Sequence, residues 1–227
     1  MRAPARRLHI VDAAREAFAL RGYDATSVGE IAQAAGVTRT VLYDHFHSKK
    51  ELYLWLLERE SAQLLDHVAA RILAEGPRVE RMRHAIDAFL SFVETHPLAW
   101  RLLSREDAGD REIADEHDRL RARNTETVGE VLAADLRAAG IEPGSERAEI
   151  LIELAVSAVE GIARWAHDHP EAAREQLVEA TMELLWGGLA RLAGERAAAG
   201  TEEAGFSAAQ SADDVSAPAT SCHQARS

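Results

Sequence analysis

Hydrophobic residues recur every three or four positions along most of the chain, which is the spacing that places them on one face of an α-helix. The sequence shows no run of alternating apolar and polar residues of the kind that marks a half-buried strand. The pattern therefore predicts an all-α protein. Its helices are expected at residues 6–22, 28–35, 39–46, 48–73, 79–94, 97–105, 110–139, 145–167 and 171–193.

The second and third of these helices are short and have a glycine between them. Ser27 and Glu30 have the S-x-x-E spacing of a capping box, which begins a helix by satisfying its unpaired backbone N–H groups. Gly36 follows the last apolar position of that helix, where a residue that accepts positive φ is favoured. Thr38 is placed to cap the next helix. Two helices joined by a short glycine-containing turn form a helix-turn-helix, whose second helix enters the DNA major groove.

The second helix of this pair has a polar face that suits DNA recognition. With Leu42 and Phe46 turned inward at about 100° per residue, the opposite face is left for a partner. Arg39 lies at the N-terminal end, from which it can donate two hydrogen bonds to guanine O6 and N7. The outward positions are Thr40, Tyr43 and Asp44. The plainer alternative is that this helix pair is only a packing unit.

A family resemblance decides between these alternatives. It is ordered, has no gaps and covers about the first quarter of the chain. The residues that carry it are Ala14, Phe18, Gly22, Tyr23, Thr26, Ser27, Val28, Ile31, Ala32, Ala35, Gly36, Val37, Thr38, Leu42, Tyr43, His45, Phe46, Ser48, Lys49, Glu51 and Leu52. They resemble the DNA-binding domain of the TetR family of bacterial transcription regulators. The resemblance implies a three-helix DNA-binding domain, a homodimer and an inducer held in the remaining helices.

The resemblance and the helix pattern together predict the residues that contact DNA. The predicted contacts are Ser27, Thr38, Arg39, Thr40, Tyr43, His47 and Lys49. Val41 and Asp44 depart from what is usual in the family. A thymine methyl would suit Val41, whereas Asp44 could accept from a cytosine amine, pair with a cation or repel phosphate. The sequence leaves these three roles of Asp44 open.

The distribution of charge supports a protein that touches DNA at one end. The net charge is −12, but residues 1–50 contain eight lysines and arginines against five acids. Because salt screens charges beyond roughly 8–10 Å, the basic end decides the attraction to phosphate. Arg2, Arg6 and Arg7 form either a basic arm that follows the DNA or a solvated, disordered terminus.

Composition restricts the compartment and the class of protein. No apolar run reaches the roughly 18–20 residues of a membrane span, and the N-terminus lacks the apolar segment of a secretory signal. Cys222 is the single cysteine, so an internal disulfide is impossible. These features predict a cytoplasmic protein with no membrane contact.

The helices after residue 50 are predicted to form a bundle that binds a ligand and dimerises. The resemblance implies a small apolar or amphipathic ligand, with Phe89, Phe92, Trp100, Arg121 and Trp165 as its candidate contacts. Further polar candidates are His67, His84, His96, Arg101 and Asn124. In a helical bundle, most such residues could equally be core.

The last two helices are the most apolar, and the resemblance implies that they form the dimer interface. The candidate interface residues are Leu154, Ala158, Ile162, Leu184, Leu185 and Gly188. Burial of these helices within their own bundle is the alternative. A two-fold dimer places its recognition helices roughly 34–36 Å apart, or a multiple of this, and so needs a pseudo-palindromic double-stranded operator.

Metal binding, cofactor binding and catalysis are not expected. His167 and His169 flank Asp168, but no spaced cysteine or histidine completes a ligand set. The sequence contains no nucleophile elbow, phosphate-binding loop or dinucleotide fingerprint. An all-α enzyme therefore stays only a distant alternative.

The predicted organisation has three parts. Residues 1–50 form the helix-turn-helix domain, residues 51–196 the ligand-binding and dimerisation bundle, and residues 197–227 a disordered tail with too few large apolar residues to fold. The predicted function is that of a sequence-specific, TetR-like repressor released from its operator by a small molecule. A DNA-binding activator or architectural protein that needs no ligand is the alternative.

Overall fold

The computed structural model describes residues 3–72, 76–105 and 109–188. All regular structure in these ranges is helical, as the sequence pattern predicts. The helices are α1 (Ala3–Arg21), α2 (Val28–Ala34), α3 (Arg39–Tyr43), α4 (Lys49–Ile72), α5 (Arg78–Thr95), α6 (Pro97–Leu103), α7 (Arg111–Ala138), α8 (Glu146–Asp168) and α9 (residues 174–188). The predicted disordered tail, residues 197–227, lies outside the described residues.

We call α1 to α3 and the first two turns of α4 the head. Its core is fully buried and contains Phe18 of α1, Ile31 of α2 and Leu42 of α3. The core continues past residue 50, because Leu52 and Leu56 of α4 belong to the same cluster. The domain boundary at residue 50 therefore stays a prediction. The core of the head extends past it into the first two turns of α4.

The remaining helices form the body. In it, α4 packs against α5 and α7, and α8 packs against α7 and α5. Short α6 packs mainly against α1, so the body reaches the head at a second place besides α4. A second core cluster, containing Leu90, Ala163 and Met182, joins α5, α8 and α9.

Two details of the sequence prediction are wrong. Helix α3 ends at Tyr43 rather than near Phe46, and Asp44 is its C-cap. Phe46 is nevertheless buried, because the turn after α3 carries it back into the core. Helical spacing predicts that Leu8 shares the inward face of α1 with Val11 and Phe18, but Leu8 is 52% exposed and α1 buries Ile10 instead.

Candidate DNA interface and ligand cavity

The first turn of α2 is closed by the predicted capping box. Ser27 Oγ accepts a hydrogen bond from the backbone N–H of Glu30 at 3.2 Å. In return, Glu30 Oε2 accepts from the backbone N–H and the hydroxyl of Ser27, each at 2.8 Å. These bonds, first that from the backbone N–H, hold the pKa of Glu30 below its ordinary value. Ser27, predicted to contact DNA, is thus exposed with its hydroxyl already engaged in the cap.

The turn between α2 and α3 also follows the sequence prediction. Gly36 has φ of 65°, a left-handed conformation that a residue with a Cβ adopts only at a cost. The backbone N–H of Val37 then donates to the carbonyl of Ala32 at 2.9 Å. Thr38 caps α3 by accepting from the N–H of Val41 at 3.3 Å. These bonds fix where α3 begins, and so where its exposed face points.

The exposed face of α3 carries most of the predicted DNA contacts. Leu42 is buried, so the other side of the short helix faces solvent. The exposed residues on and around it are Thr38, Arg39, Thr40, Tyr43, Asp44 and His47. Tyr43 is one of the few large hydrophobic residues that the head leaves exposed. The structure therefore brings these side chains to one surface, and their contacts with DNA stay a prediction.

Arg39 lies across the first turn of α2. A Cβ added at Gly29 would lie 2.9 Å from the guanidinium carbon of Arg39, too close for any real Cβ contact. Gly29 therefore makes room for the guanidinium over α2. The sequence pattern did not predict this contact. Gly29 and Arg39 are ten positions apart, and no local sequence signal indicates that they pack together.

Lys49 is held against the head. Its Nζ donates to the carbonyl oxygens of Tyr23 at 2.9 Å and Thr26 at 3.0 Å, and lies 4.1 Å from the centre of the Tyr23 ring. An ammonium has three donors. Among the described residues, two of those donors go to head carbonyls, which leaves one for a phosphate. The predicted phosphate contact is thus compatible with this placement and remains untested.

Lys50 instead pairs with the body. Its Nζ lies 2.8 Å from Asp110 Oδ2 and 2.8 Å from Glu112 Oε2, both at the start of α7. The hydrogen bond that Lys50 donates to Asp110, and next the one to Glu112, raises the pKa of Lys50 above its ordinary value. The same bond from Lys50 lowers the pKa of Asp110. Lys50 therefore connects the start of α4 with the start of α7.

The basic N-terminus is not a free arm where the structure describes it. Arg6 and Arg7 belong to α1. The guanidinium of Arg7 lies 4.9 Å from the ring centre of Phe46 and 4.5 Å from that of Trp55. Arg7 is therefore part of α1 rather than of a disordered terminus, and a contact of this region with the DNA backbone stays a prediction.

The body contains a cavity of about 830 Å³ between α4, α5, α7 and α8, which is within the usual range for small-molecule sites. Its wall is mostly apolar and includes Leu64, Phe89 and Trp100. Phe89 and Trp100 meet edge to face, with ring centres 5.4 Å apart. Of the predicted ligand contacts, Phe89, Trp100, Arg121 and the further candidate Asn124 line this cavity.

Phe92 and Trp165 do not line the cavity, which corrects two of the predicted ligand contacts. Phe92 is fully buried on another face of α5, where its ring stacks on His96 with centres 4.6 Å apart. Trp165 is largely exposed and stacks on His169 at 3.9 Å. His67, His84, His96 and Arg101 also lie outside the wall. An apolar or histidine residue alone does not reveal which side of its helix meets the cavity.

One stripe of α7 supplies much of the wall, including residues that the sequence prediction missed. The stripe includes His117, Arg121, Asn124, Val128, Leu132 and Asp135, and Asp118, Leu120, Glu130 and Val131 beside it also line the cavity. The stripe positions recur every three or four residues, but half of them are charged or amide-bearing, so hydrophobic periodicity does not single them out. Eighteen residues of helix span roughly 27 Å. The cavity is therefore long relative to its volume.

Arg121 is held in place by acids of α8. Its two terminal nitrogens donate to Glu153 at 3.2 and 2.7 Å, and Nη2 also reaches Glu160 at 3.3 Å and Ser157 at 3.1 Å. The hydrogen bond that Arg121 donates to Glu153 is the main reason that the pKa of Arg121 is raised, and it lowers the pKa of Glu153 in turn. The guanidinium therefore enters the cavity wall with its charge already compensated.

An exposed apolar surface lies on α8 and α9. Leu154 is 59% exposed and Leu184 is 67% exposed, and Ile150 and Trp165 are exposed as well. Of the other predicted interface residues, Gly188 is exposed and Ala158 is half-buried. Ile162 and Leu185 are half-buried against the body's own core. The surface is thus present where the interface was predicted, with two of its residues shared by the core.

The remaining features concern metals and membranes. Within residues 3–72, 76–105 and 109–188, no three side chains of the metal-binding types are grouped to hold an ion. His169 instead places Nδ1 2.9 Å from the carbonyl of Trp165. Among the described helices, none combines the length and apolar character needed to cross a bilayer.

This geometry defines a class of protein. A capped helix pair presents a polar recognition helix, and α4 connects it to a helical body with a closed-in apolar cavity. That combination is a helix-turn-helix regulator with a separate body for other partners.

Comparison with known proteins gives the family. Residues 10–55 match the model of bacterial regulatory proteins of the tetR family, and residues 79–188 match the tetracyclin repressor-like C-terminal domain. The HTH-type transcriptional activator FasR of Mycolicibacterium smegmatis is 31% identical over 188 residues, which are 82% of this chain and 84% of that protein. The chain therefore belongs to the TetR family of DNA-binding transcriptional regulators.

Two further similarities bear on function. The HTH-type transcriptional repressor AcnR of Corynebacterium diphtheriae is 32% identical over 120 residues, 51% of this chain and 58% of that protein. The structure of FadR from Bacillus subtilis in complex with stearoyl-CoA has a TM-score of 0.67 with 18% identity, and the match covers 79% of this chain and 97% of that chain. At this identity the second similarity shows the fold alone.

Proposed function

We propose that the protein is a homodimeric regulator whose binding to a pseudo-palindromic operator is controlled by a small amphipathic molecule in the body cavity. The observation that carries this proposal is that one helix, α4, both lines the cavity and belongs to the core of the head. Leu64, Leu65 and Val68 of α4 line the cavity, while the first turns of the same helix belong to the head core. A ligand that favours one placement of α4 therefore also favours one placement of the recognition helix.

DNA recognition is assigned to the exposed face of α3. Arg39 at the start of the helix is the proposed reader of a guanine, and Thr40 and Tyr43 are its neighbours on the same face. Thr38 and His47 flank this face, and Lys49 supports it from the start of α4. A single head offers only this one short helix, so two heads are needed to read an operator with useful affinity.

The dimer is assigned to the apolar surface of α8 and α9. Leu154 and Leu184 each expose more than half of their surface in one protomer. Contact between two such surfaces would remove apolar area from water at roughly 25 cal/mol per Å². This supports α8 and α9 as the interface, the same helix pair that the sequence predicted. Ala158 and Gly188 have small side chains, so the backbones of two protomers can approach closely there.

The shape of the cavity favours a long, mostly apolar ligand. A wall that follows α7 for roughly 27 Å encloses only about 830 Å³, so an extended chain fits better than a compact ring system. The related fold that holds stearoyl-CoA supports the same class of ligand. Phe89, Trp100 and Arg121 are its proposed contacts.

The direction of control is proposed to be repression relieved by the ligand. AcnR is named a repressor, which supports this direction, whereas FasR is named an activator. Activation is therefore the second candidate. Transcription in vitro from a template with the selected operator distinguishes them, because a repressor lowers the transcript level and an activator raises it.

The experiment that tests the proposal has two steps. The operator is first selected from random duplex DNA with the purified protein, and its affinity is measured by fluorescence anisotropy. Stearoyl-CoA and stearate are then added, and both the melting temperature and the operator affinity are followed. A bound ligand should raise the melting temperature and weaken operator binding roughly 5–150-fold.

Two of the four tryptophans provide a matched control for the location of the ligand. Trp100 lines the cavity, whereas Trp165 lies outside it. Trp100→Phe should remove most of the fluorescence change that the ligand causes, and Trp165→Phe should preserve it. Loss of the change only in Trp165→Phe would exclude the cavity as the site.

A further inference from the structure

One end of the cavity touches the head directly. His117 of α7 and Arg105, which follows α6, both line the cavity. His117 is in hydrogen-bond contact with α4, and Arg105 with α1. Since these side chains belong to the cavity wall and also contact head helices, they are placed to respond to whatever fills the cavity.

The contact of His117 is with the hydroxyl of Tyr53. Tyr53 Oη and His117 Nε2 are 3.2 Å apart, and the two rings lie 6.1 Å apart. Tyr53 is 2% exposed, so this contact is made away from bulk water. A hydrogen bond between partly buried groups holds a more definite geometry than one that water can replace.

The ring of Tyr53 is part of the head core. It meets the ring of Phe18 edge on at 4.9 Å and that of Tyr23 at 5.2 Å. Tyr23 in turn carries Lys49 on its ring and on its carbonyl oxygen. A displacement of Tyr53 would therefore also displace the residues it contacts in α1 and in the α1–α2 turn, and with Tyr23 the side chain of Lys49, which is predicted to contact phosphate.

The contact of Arg105 reaches the same part of the head. Its Nη1 donates to the carbonyl of Ala19 at 3.2 Å, near the C-terminus of α1. The guanidinium also covers Gly22, where an added Cβ would lie 3.1 Å from Nη2. Two side chains of the cavity wall thus contact the head, His117 at Tyr53 and Arg105 at Ala19.

Another hydrogen bond joins α4 and α7 without touching the head. Ser61 Oγ donates to Asn124 Oδ1 at 3.3 Å, two turns further along α4 than Tyr53. Both residues line the cavity, and Ser61 lies beyond the first two turns of α4, which belong to the head. This bond therefore provides a matched control for the loss of an α4–α7 contact.

We propose that Tyr53 and His117 are positioning residues that set the orientation of the DNA-binding head according to the state of the cavity. This inference rests on the proposed function, because it assumes that the cavity is the regulatory site. The proposed function treats α4 as a rigid connector between cavity and head. The inference adds one defined contact between α4 and α7 that transmits the change. Neither residue touches DNA in this arrangement.

The decisive experiment needs no ligand. Operator affinity and melting temperature are measured for Tyr53→Phe, His117→Leu, the double variant, His117→Gln and Ser61→Ala. Tyr53→Phe and His117→Leu should each weaken operator binding about two- to tenfold, the range that one net hydrogen bond allows. The double variant should be no weaker than either single variant, because both lose the same bond.

The controls separate positioning from ordinary stabilisation. His117→Gln retains a side-chain group that can meet the tyrosine hydroxyl, so it should restore most of the operator affinity. Ser61→Ala should lower the melting temperature about as much as Tyr53→Phe while leaving operator affinity within about twofold of the wild type. A merely structural role of Tyr53 predicts the same affinity for all folded variants, and that result would overturn the proposal. An equal loss of affinity in Ser61→Ala would overturn it as well.

A second arm distinguishes this proposal from the proposed function. Stearoyl-CoA is added to the wild type and to Tyr53→Phe, with binding measured by thermal shift and operator release by anisotropy. Binding of stearoyl-CoA with equal release in both proteins would overturn the positioning role alone. If stearoyl-CoA binds to neither protein, the proposed ligand class fails, and the operator affinities of the ligand-free variants still decide the role of Tyr53 and His117.

Discussion

The head and the body solve different physical problems with the same kind of helix. In the head, Phe18, Ile31 and Leu42 are fully buried, and the polar groups of Ser27 and Glu30 satisfy each other. In the body, the helices leave a cavity of about 830 Å³ and an exposed apolar surface. The core of the head is thus filled, whereas the body contains an open cavity and a larger exposed apolar surface.

This difference teaches which part is adapted to a fixed partner and which to a changing one. Close packing favours a single arrangement, because any shift of a filled core loses contacts on all sides. The head can therefore present α3 to DNA in one geometry. A cavity removes that constraint from the helices around it, so the body can change its packing when a ligand enters. The coupling then depends on the few side chains that belong to both regions.

The largest expected effect comes from charge on the exposed body surface. Leu184→Glu or Leu154→Glu would place two like charges near the two-fold axis of the proposed dimer. We expect the dimer to dissociate and operator affinity to fall about 100-fold or more, which corresponds to the loss of an interface hot spot. Light scattering after size-exclusion chromatography gives the mass, and anisotropy gives the affinity.

Leu20 provides the control for this substitution. It is exposed to a similar degree, at 49%, but lies on α1 in the head. Leu20→Glu should leave the mass at that of a dimer. If Leu184→Glu and Leu154→Glu also remain dimeric, the exposed surface serves another purpose and the contrast between head and body loses half of its support.

The next effect concerns the recognition helix. Arg39→Ala should cost about 1–3 kcal/mol and relax the preference at one base pair per half-site. The measurement is a repeat of the operator selection with the variant. Equal weakening on all sequences would exclude base readout by Arg39.

Gly29 tests whether the position of Arg39 matters. Because a Cβ on Gly29 would occupy the space of the guanidinium, Gly29→Ala should displace Arg39 while preserving its charge. We expect a loss of sequence preference in the same direction as Arg39→Ala but smaller, and a nearly unchanged salt dependence. An unaltered preference would mean that Arg39 moves away from α2 when it binds DNA.

The contrast between the regions also shows what the sequence could predict. The helices of the head could be predicted from local signals. The Ser27–Glu30 cap, the positive φ of Gly36 and the cap at Thr38 each act over three or four residues. The cavity wall is assembled from side chains of α4 to α9, so no local signal separates Trp100, which lines it, from Phe92, which does not. The same holds for Arg39 and Gly29, whose contact depends on how α2 and α3 cross.

Local signals were also insufficient where a side chain could bond in two directions. Lys49 and Lys50 are adjacent in sequence and looked equivalent as phosphate contacts. In the structure, Lys49 donates hydrogen bonds to carbonyl oxygens of the head, whereas Lys50 forms ion pairs with the acids at the start of α7. Only the placement of α7 beside α4 distinguishes them, and that is a tertiary contact.

These two lysines provide a smaller effect that sharpens the comparison. Lys49→Ala should weaken binding to every sequence and flatten the dependence of log affinity on log salt by about one unit. Lys50→Ala should change that slope less, because Asp110 and Glu112 already compensate its charge. Measurement of affinity from low to moderate salt provides both slopes. Equal slopes for Lys49→Ala and the wild type would make Lys49 a purely structural part of the head.

The smallest expected effect is a pH dependence of folding stability that differs between the head and the body. The pKa of Glu30 is lowered by its bonds from Ser27, and the pKa of Glu153 is lowered by Arg121. A carboxylate whose folded pKa is lowered contributes stability above its unfolded pKa, and this contribution disappears as the pH falls through the folded value. Glu30→Gln and Glu153→Gln should each remove part of this acid sensitivity.

The two variants should act on different amides. Amide hydrogen exchange followed from neutral to acid pH should show that Glu30→Gln weakens protection in α2, while Glu153→Gln weakens it in α7 and α8. This follows because each carboxylate bonds only within its own region, Glu30 to the first turn of α2 and Glu153 across α7 and α8. If either substitution lowered protection in both regions equally, the head and the body would open as one cooperative unit. The cavity could then influence DNA binding through global stability, and a separate contact such as that of Tyr53 with His117 would not be needed.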